Sequence, residues 1–214
     1  MPAIDIESRV KDLDLYLWDM QESLDWFRKE THLTMDESNE FETMSGKRKL
    51  EFIVQRYLLC SNIQGIKPIL MKMPNGKPYL SNRNEKISIS HSKSMLIVSI
   101  GGMDHGVDLE WIDERIIRLA SKFCNEAENK IPEEIDPVFW FTLIWSCKEA
   151  LYKVDGLGQL EFRSQLAVHF TRDSFHQGWG RGKVRRNNVD VYFRLYFEKI
   201  NGFVVTWAWP LYNE

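Results

Sequence analysis

The sequence predicts an α+β protein made of two similar α+β halves. Three observations lead there. Segments that alternate apolar and polar residues, the period of a strand, are interspersed with segments of helical period along the chain. Glycine- and proline-bearing turns separate them. A strand-then-helix order also recurs: LDLYLWD at 13–19 is echoed by VDLEWID at 107–113, and the helical stretch at 44–60 by that at 138–153, at the same displacement. The halves are expected to span 1–104 and 105–214, joined near 101–105, with a cleft between them as a natural ligand site.

Leu13, Leu15 and Leu17 alternate with Asp14, Tyr16 and Trp18 to give the first strand. Residues 21–30 read as a short helix. Residues 44–60 read as a longer one with Leu50, Phe52, Ile53, Tyr57 and Leu58 on or near one face. PNGKP at 74–78 is a turn. KISIS (86–90), MLIVSI (95–100) and GVDLEW (106–111) are strands, with Gly101 and Gly102 breaking the run. Residues 114–129 form a polar helical stretch, and Pro132 and Pro137 bracket a loop. Residues 138–153 form the clearest helix, apolar nearly all round and hence a core element, ended by Gly156 and Gly158. The remainder is β-rich (166–171, 189–198 and 203–209), with Asn201-Gly202 turning between the last two strands. The run Arg181, Lys183, Arg185, Arg186 is expected in an exposed hairpin without chemistry.

Composition narrows the function classes. The chain has 214 residues, enough to bury roughly 70% of its unfolded surface without a staple. Its 12 Phe, 8 Trp and 7 Tyr argue against disorder. Lys and Arg number 28 against 31 Asp and Glu, which argues against a globally basic nucleic-acid-binding surface. Cys60, Cys124 and Cys147 are odd in number and make no CxxC, so neither a disulfide framework nor a thiolate zinc site is indicated and a reducing, cytoplasmic setting is expected. The N-terminus lacks a signal-peptide pattern, and no 18-residue apolar run exists to span a membrane. His32, His105, His169 and His176 lack metal-ligand spacing, and neither standard nucleotide fingerprint occurs.

Four groups of residues carry candidate chemistry. Asp108 and Glu110 share one face of a strand whose other face is apolar. They read either as a solvated strand face or as paired oxygen ligands for a hard divalent cation. Glu149 and Lys153 share a helix face beside Lys148, either as a surface ion pair or as a metal ligand and a phosphate-binding cation. Ser90, His91 and Ser92 offer hydrogen-bond donors suited to a phosphate. Ser90 and His91 cannot pair as nucleophile and base, since strand neighbours point to opposite faces. Lys47, Arg48, Lys49 and Arg56, with Lys77 in the turn, form either a solvated face or a phosphate clamp.

In order along the chain, GKP (76–78), ISHS (89–92), GVDLE (106–110) and WSCKEALYKVDGLG (145–158) resemble the 4′-phosphopantetheinyl transferase superfamily. The closer resemblance is to its surfactin-synthetase-activating type, which is monomeric and pseudo-duplicated. The signatures G-(V/I)-D-x-E and W-x-x-K-E-(A/S)-x-x-K are both complete, as Gly106–Glu110 and Trp145–Lys153. The resemblance implies two halves in pseudo-twofold arrangement with the active site between them. It implies an enzyme of holo-[acyl-carrier-protein] synthase type. Such an enzyme moves 4′-phosphopantetheine from coenzyme A to a serine of an apo acyl or peptidyl carrier protein and releases adenosine 3′,5′-bisphosphate.

Carried over by residue, Asp108, Glu110 and Glu149 would hold Mg²⁺, for which Mn²⁺ could substitute. Glu149 would also take the serine proton, and Lys153 would bind the pyrophosphate as the second catalytic residue. Ser90 and His91 would contact the adenosine end, His91 chiefly at the 3′-phosphate. Lys77 and an arginine of the first long helix, most simply Arg48 but with Lys47 and Arg56 open, would grip phosphate, and Lys148 is grouped with these coenzyme A contacts. Ile116, Ile117, Leu119 and Phe123 are candidates either for the carrier surface or for core packing. The same residues leave two other classes open: a Mg²⁺-dependent nucleotide phosphohydrolase, and a non-catalytic coenzyme A or carrier-binding module.

Overall fold

The alternation of the first strand sets the architecture of the N-terminal part of the chain. In the computed structural model, which describes residues 3–211, a short strand β1 (Ala3–Ile4) pairs antiparallel with β2 (Leu13–Asp19). Leu13, Leu15 and Leu17 enter one core and Trp18 another, with Tyr16 packed against the latter, so β2 is covered on both faces. Helices α1 (Leu24–Glu30), α2 (Met35–Thr43) and α3 (Gly46–Asn62) follow. Helix α2 escapes the hydrophobic pattern, because of its residues only Glu37 and Phe41 are buried. Its signal is a capping box: Thr34 accepts from the Glu37 N–H while Glu37 accepts from the Thr34 N–H. Arg56 of α3 donates to Glu37 at 2.9 Å and lies over the Phe52 ring, which ties α2 to α3.

The hairpin β3 (Leu70–Lys72) and β4 (Pro78–Leu80) forms around the expected PNGKP turn, and β5 (Lys86–Ser92) and β6 (Met95–Gly101) complete the first sheet in the order β1-β2-β6-β5. The C-terminal part runs β7 (Gly106–Trp111), α4 (Arg115–Phe123), α5 (Pro137–Asp155), α6 (Phe162–Gln165), β8 (Leu166–His169), α7 (Arg172–His176), β9 (Trp179–Arg186), β10 (Val189–Ile200) and β11 (Phe203–Pro210). Its sheet has the order β7-β11-β10-β9-β8. The helical stretch expected over 114–129 stops at Phe123. Asn125 there accepts from the N–H groups of Ala127 and Glu128, which turns the chain out of the helix. The basic run at 181–186 is an interior strand of the second sheet, where Val184 is buried and Arg185 and Arg186 pair with Asp190 and Asp155.

The two sheets share a core. Leu13, Leu15, Leu17, Met95 and Ile97 of the first pack with Val107, Leu109, Phe203, Val205 and Trp207 of the second. Helix α3 covers the far face of the first sheet and α5 the far face of the second, so the order of layers is helix, sheet, sheet, helix. The edge strands β5 and β7 meet without a backbone ladder. Ser88 and Ser92, on one face of β5, accept the N–H groups of Val107 (3.0 Å) and Trp111 (3.1 Å), and Ser90 between them donates to Asp108 (2.8 Å). Three alternate serines thus stitch one sheet edge to the other.

Two devices fix α5. Asp136 caps its N-terminus through the Phe139 N–H, and Gly156, in the left-handed conformation at φ +65°, ends it. Lys148 on its inner side is fully buried, pairs with Glu128 at 2.7 Å and donates to the carbonyls of Phe123 and Phe162. Glu128 in turn accepts the N–H groups of Asn125 and Val168, so one buried ion pair joins α5 to the loop after α4 and to β8. Cys60, Cys124 and Cys147 are free thiols, and burial pushes Cys124 up to about 12. Among the described residues no helix is long and apolar enough to cross a membrane.

Gly106 is where α5 comes closest to β7. A Cβ there would stand 2.0 Å from the Ala150 carbonyl oxygen and 2.8 Å from the Val154 nitrogen, both backbone atoms of α5. Gly106→Ala should cost at least about 2 kcal/mol, lowering the melting temperature by roughly 5 °C in a thermal unfolding experiment. Lys148→Met removes one partner of a buried pair and should cost about 3–5 kcal/mol in denaturant unfolding. A neutral result would contradict the structural role given to Lys148.

Candidate active site

The period of β7 sends Val107 and Leu109 into the core between the sheets and turns Asp108 and Glu110 toward α5. Asp108 is only 3% exposed. Its Oδ1 accepts from Ser90 Oγ at 2.8 Å and from Lys153 Nζ at 2.7 Å, and its Oδ2 accepts from Ser146 Oγ at 2.8 Å. Ser146, whose one O–H is engaged in donating to the carboxylate, accepts from Thr206 Oγ1 at 2.9 Å. Lys153 also donates to the Val107 carbonyl at 3.0 Å. Trp145 Nε1 donates to Glu110 Oε1 at 2.9 Å. Trp145, Ser146, Glu149 and Lys153 all face this point because α5 returns the same side every three to four residues.

The electrostatics are unbalanced. Burial, then the Asp108 charge, push Glu110 up to about 7, against the opposing pull of the Trp145 N–H and Lys153. Burial and Asp108 push Glu149 up to about 7 as well, with Lys153 opposing and Glu110 adding to the rise. Three carboxylates therefore share one ammonium in a partly dry site. Among the described residues no group of three His, Cys, Asp or Glu side chains is already drawn together to hold a metal ion. The donor chemistry nevertheless fits a hard divalent cation: the ligands are carboxylate oxygens only, and their mutual repulsion is what a dication would relieve.

Two cavities open beside the carboxylates. One, of about 260 Å³, is lined by Lys77, Ile87, Ser88, Glu149, Tyr152 and Lys153 among others. The other, of about 340 Å³, is lined by Glu110, Trp111, Ile116, Leu119 and Trp145 with polar neighbours. Lys77 stands at the C-terminal end of α5, 3.4 Å from the Val154 carbonyl and 3.4 Å from Asp104 Oδ1.

The structure sets Lys153 on Asp108 and places Glu110 and Glu149 near enough to feel the Asp108 charge, with Lys77 lining the cavity that Glu149 and Lys153 line. It separates others that the sequence grouped. Lys148, expected among the coenzyme A contacts, has no exposed surface and is held by Glu128; it is a core cation. Ser90, placed with the same contacts, donates its hydroxyl hydrogen bond to Asp108. His91 points to the other face of β5, where its Nδ1 lies 3.1 Å from Glu51 of α3, whose carboxylate also takes Lys47 at 3.1 Å. Burial lowers His91, with Glu51 pulling the other way. Arg56 is buried on Glu37, whereas Arg48 lies on the exposed side of α3. Of the four apolar candidates, Phe123 is core and packs on Trp145, Ile117 and Leu119 are exposed, and Ile116 is half-buried. Sequence reasoning missed Ser146, Thr206 and Glu51. Ser146 sat inside a motif as an unassigned position, and Thr206 had only its strand parity to mark it.

Residues 104–208 match the family model described as the 4′-phosphopantetheinyl transferase superfamily. A curated relative, the 4′-phosphopantetheinyl transferase gsp of Aneurinibacillus migulanus, is 29% identical over 112 residues, which cover 50% of this chain and 47% of the relative. The chain thus spans about half the length of the curated relative it matches. The family match contains both motifs and every residue of the Asp108 hydrogen-bond set except Ser90. By this match, residues 104–208 form a region of the 4′-phosphopantetheinyl transferase superfamily type, and the curated relative is similar to the chain over a comparable length.

Proposed function

We propose that the protein transfers the 4′-phosphopantetheine group of coenzyme A to a serine hydroxyl of an apo acyl or peptidyl carrier protein. The observation that carries this reading is the wall of carboxylates between β7 and α5, with Glu149 and Lys153 lining one cavity and Glu110 and Trp145 the other. In the reaction the serine oxygen bonds to the phosphorus nearest the pantetheine. The bond from that phosphorus to the bridging oxygen breaks, and adenosine 3′,5′-bisphosphate leaves. Glu149, held near 7 by burial, accepts the serine proton. Lys153, at the end of a flexible stem, donates to the pyrophosphate oxygens, and Lys77, which lines the same cavity, binds phosphate beside it. His91, oriented by Glu51, meets phosphate further out. Asp108, Glu110 and Glu149 would hold Mg²⁺, or Mn²⁺ in its place. The cation would neutralise charge on the pyrophosphate oxygens.

Exposed Ile117 and Leu119 beside the Trp111 cavity suit the apolar surface of a carrier. The two sheets are read as duplicated halves, divided between 104 and 105, because in each a first strand lies on the last strand of a hairpin (β2 on β6, β7 on β11) beneath a long helix. One chain then supplies both sides of the cleft and would act as a monomer.

Incubation with coenzyme A, Mg²⁺ and a panel of apo carriers, read by intact mass, should show the gain of one phosphopantetheine. Glu149→Gln and Asp108→Asn should each lower the rate by about a hundredfold or more. Bisphosphate released without any carrier would mean a phosphohydrolase instead, and coenzyme A binding with no turnover a binding module.

The carboxyl pair also predicts a pH effect. Glu110 and Glu149 hold protons more tightly folded (about 7) than unfolded (4.5), so their contribution to stability is largest at low pH and is lost as pH rises through that window. A bound cation needs them ionised. Millimolar Mg²⁺ should therefore raise the melting temperature more at about pH 8 than at about pH 5.5, and Glu110→Gln should shrink the difference.

A further inference from the structure

We propose that the Lys153 ammonium guards the cation position of this site, and that a pyrophosphate group draws it away so that divalent cation and pyrophosphate-bearing substrate enter together. The inference rests on the carboxylate site read above as a metal and pyrophosphate site, and it adds an order of events to it.

Asp108 is the pivot. Oδ1 has two lone pairs, and Ser90 and Lys153 take both, at 2.8 and 2.7 Å. Oδ2 is held from behind by Ser146, which is itself fully buried against Thr206. A cation that asks for Oδ1 must displace either Ser90 or Lys153. Ser90 belongs to β5, in register with β6 and flanked by two serines that hold the neighbouring strand, so its backbone is fixed, and as a neutral group it does not repel a cation. Lys153 has a four-carbon stem, a side chain 26% exposed and an adjoining cavity that it already lines with Lys77. Lys153 is the group that yields.

A cation arriving alone must break a charge-assisted bond, of the kind roughly twice as strong as a neutral one, and then sit beside the ammonium it displaced. A pyrophosphate in the cavity changes both terms. It offers Lys153 a new anionic partner, and it adds oxygens that the cation can share. Each ligand therefore tightens the other, by the same factor in both directions.

The test is Mn²⁺ binding to the full chain, stripped with chelator and followed by water-proton relaxation enhancement, with the protein alone and with coenzyme A. Wild type alone should bind weakly, and coenzyme A should tighten binding at least about tenfold. Lys153→Met alone should bind Mn²⁺ at least about tenfold more tightly than wild type, and coenzyme A should then add less than about threefold. Lys77→Met removes an equal charge from the same cavity without touching Asp108 and should leave the Mn²⁺ affinity of the protein alone, without coenzyme A, within about threefold. Equal Mn²⁺ affinity in wild type and Lys153→Met overturns the guard, as does an equal effect of Lys77→Met. Thermal unfolding of each variant checks that it is folded. A protein that modifies carriers yet shows no Lys153 effect keeps the transferase reading and loses the guard. One that modifies no carrier yet shows the tenfold effect on Mn²⁺ alone keeps the guard and loses the transferase reading.

Discussion

Burial of the Asp108 carboxylate constrains the rest of the molecule. A charge taken out of water is costly unless hydrogen bonds and a counter-charge meet it. Here the partners come from different parts of the chain: Ser90 from β5 in the first sheet, Ser146 and Lys153 from α5, and Thr206 from β11 through Ser146. The carboxylate is satisfied only when the edge of one sheet, the edge of the other and the covering helix meet at one point. Ser88 and Ser92 hold that meeting on either side, and Gly106 lets the helix backbone approach. The relative placement of the two sheets thus follows from polar satisfaction at their seam as well as from the apolar core between them.

The same helix shows how one motif serves two purposes. Lys148 and Lys153 are five residues apart, which turns them to different sides of α5. Lys148 faces inward to Glu128 and fastens the helix to the loop after α4 and to β8. Lys153 faces β7 and remains partly open to the cavity. A motif read as a string gives both lysines equal weight. Only the identity of the opposing partner, a fully buried glutamate in one case and an aspartate beside a cavity in the other, separates a core cation from one that lines a cavity.

This sets what could be read before the fold was in view. The strands at 13–19, 86–90 and 106–111 were legible from their alternation, the strand at 95–100 from an apolar run ended by Gly101, and the helix at 138–153 from its length and the Pro137 and Gly156 at its ends. Helix α2 was not, since a helix with few buried side chains carries its signal in a capping box rather than in an apolar stripe. At the site, strand parity correctly put Asp108 and Glu110 on one face. The same parity separates Ser90 from His91, so a cluster that looked like one set of donors divides between Asp108 and Glu51. Ser146 and Thr206 lay beyond reach, because what defines them is a contact between residues far apart in the chain.

The surplus of carboxylates is the feature that stability alone does not explain. Glu110 and Glu149 are both raised to about 7 by burial and by Asp108, a cost the fold could avoid with amides of the same shape. Sites that keep such mismatched charges are commonly sites of function, where a missing positive charge arrives with the substrate. The asymmetry of the two cavities gives that surplus a direction. Lys77 and Lys153 line one cavity beside Glu149, whereas the other has an apolar wall of Trp111, Ile116, Leu119 and Trp145 with Lys93, Asp113 and Arg115 around it. A displacement at phosphorus needs its nucleophile and its leaving group in line on either side of the transferred group. In such a displacement the ammonium groups of Lys77 and Lys153 can stabilise charge on the leaving side, and Glu149, which lines the same cavity, can accept a proton from the nucleophile.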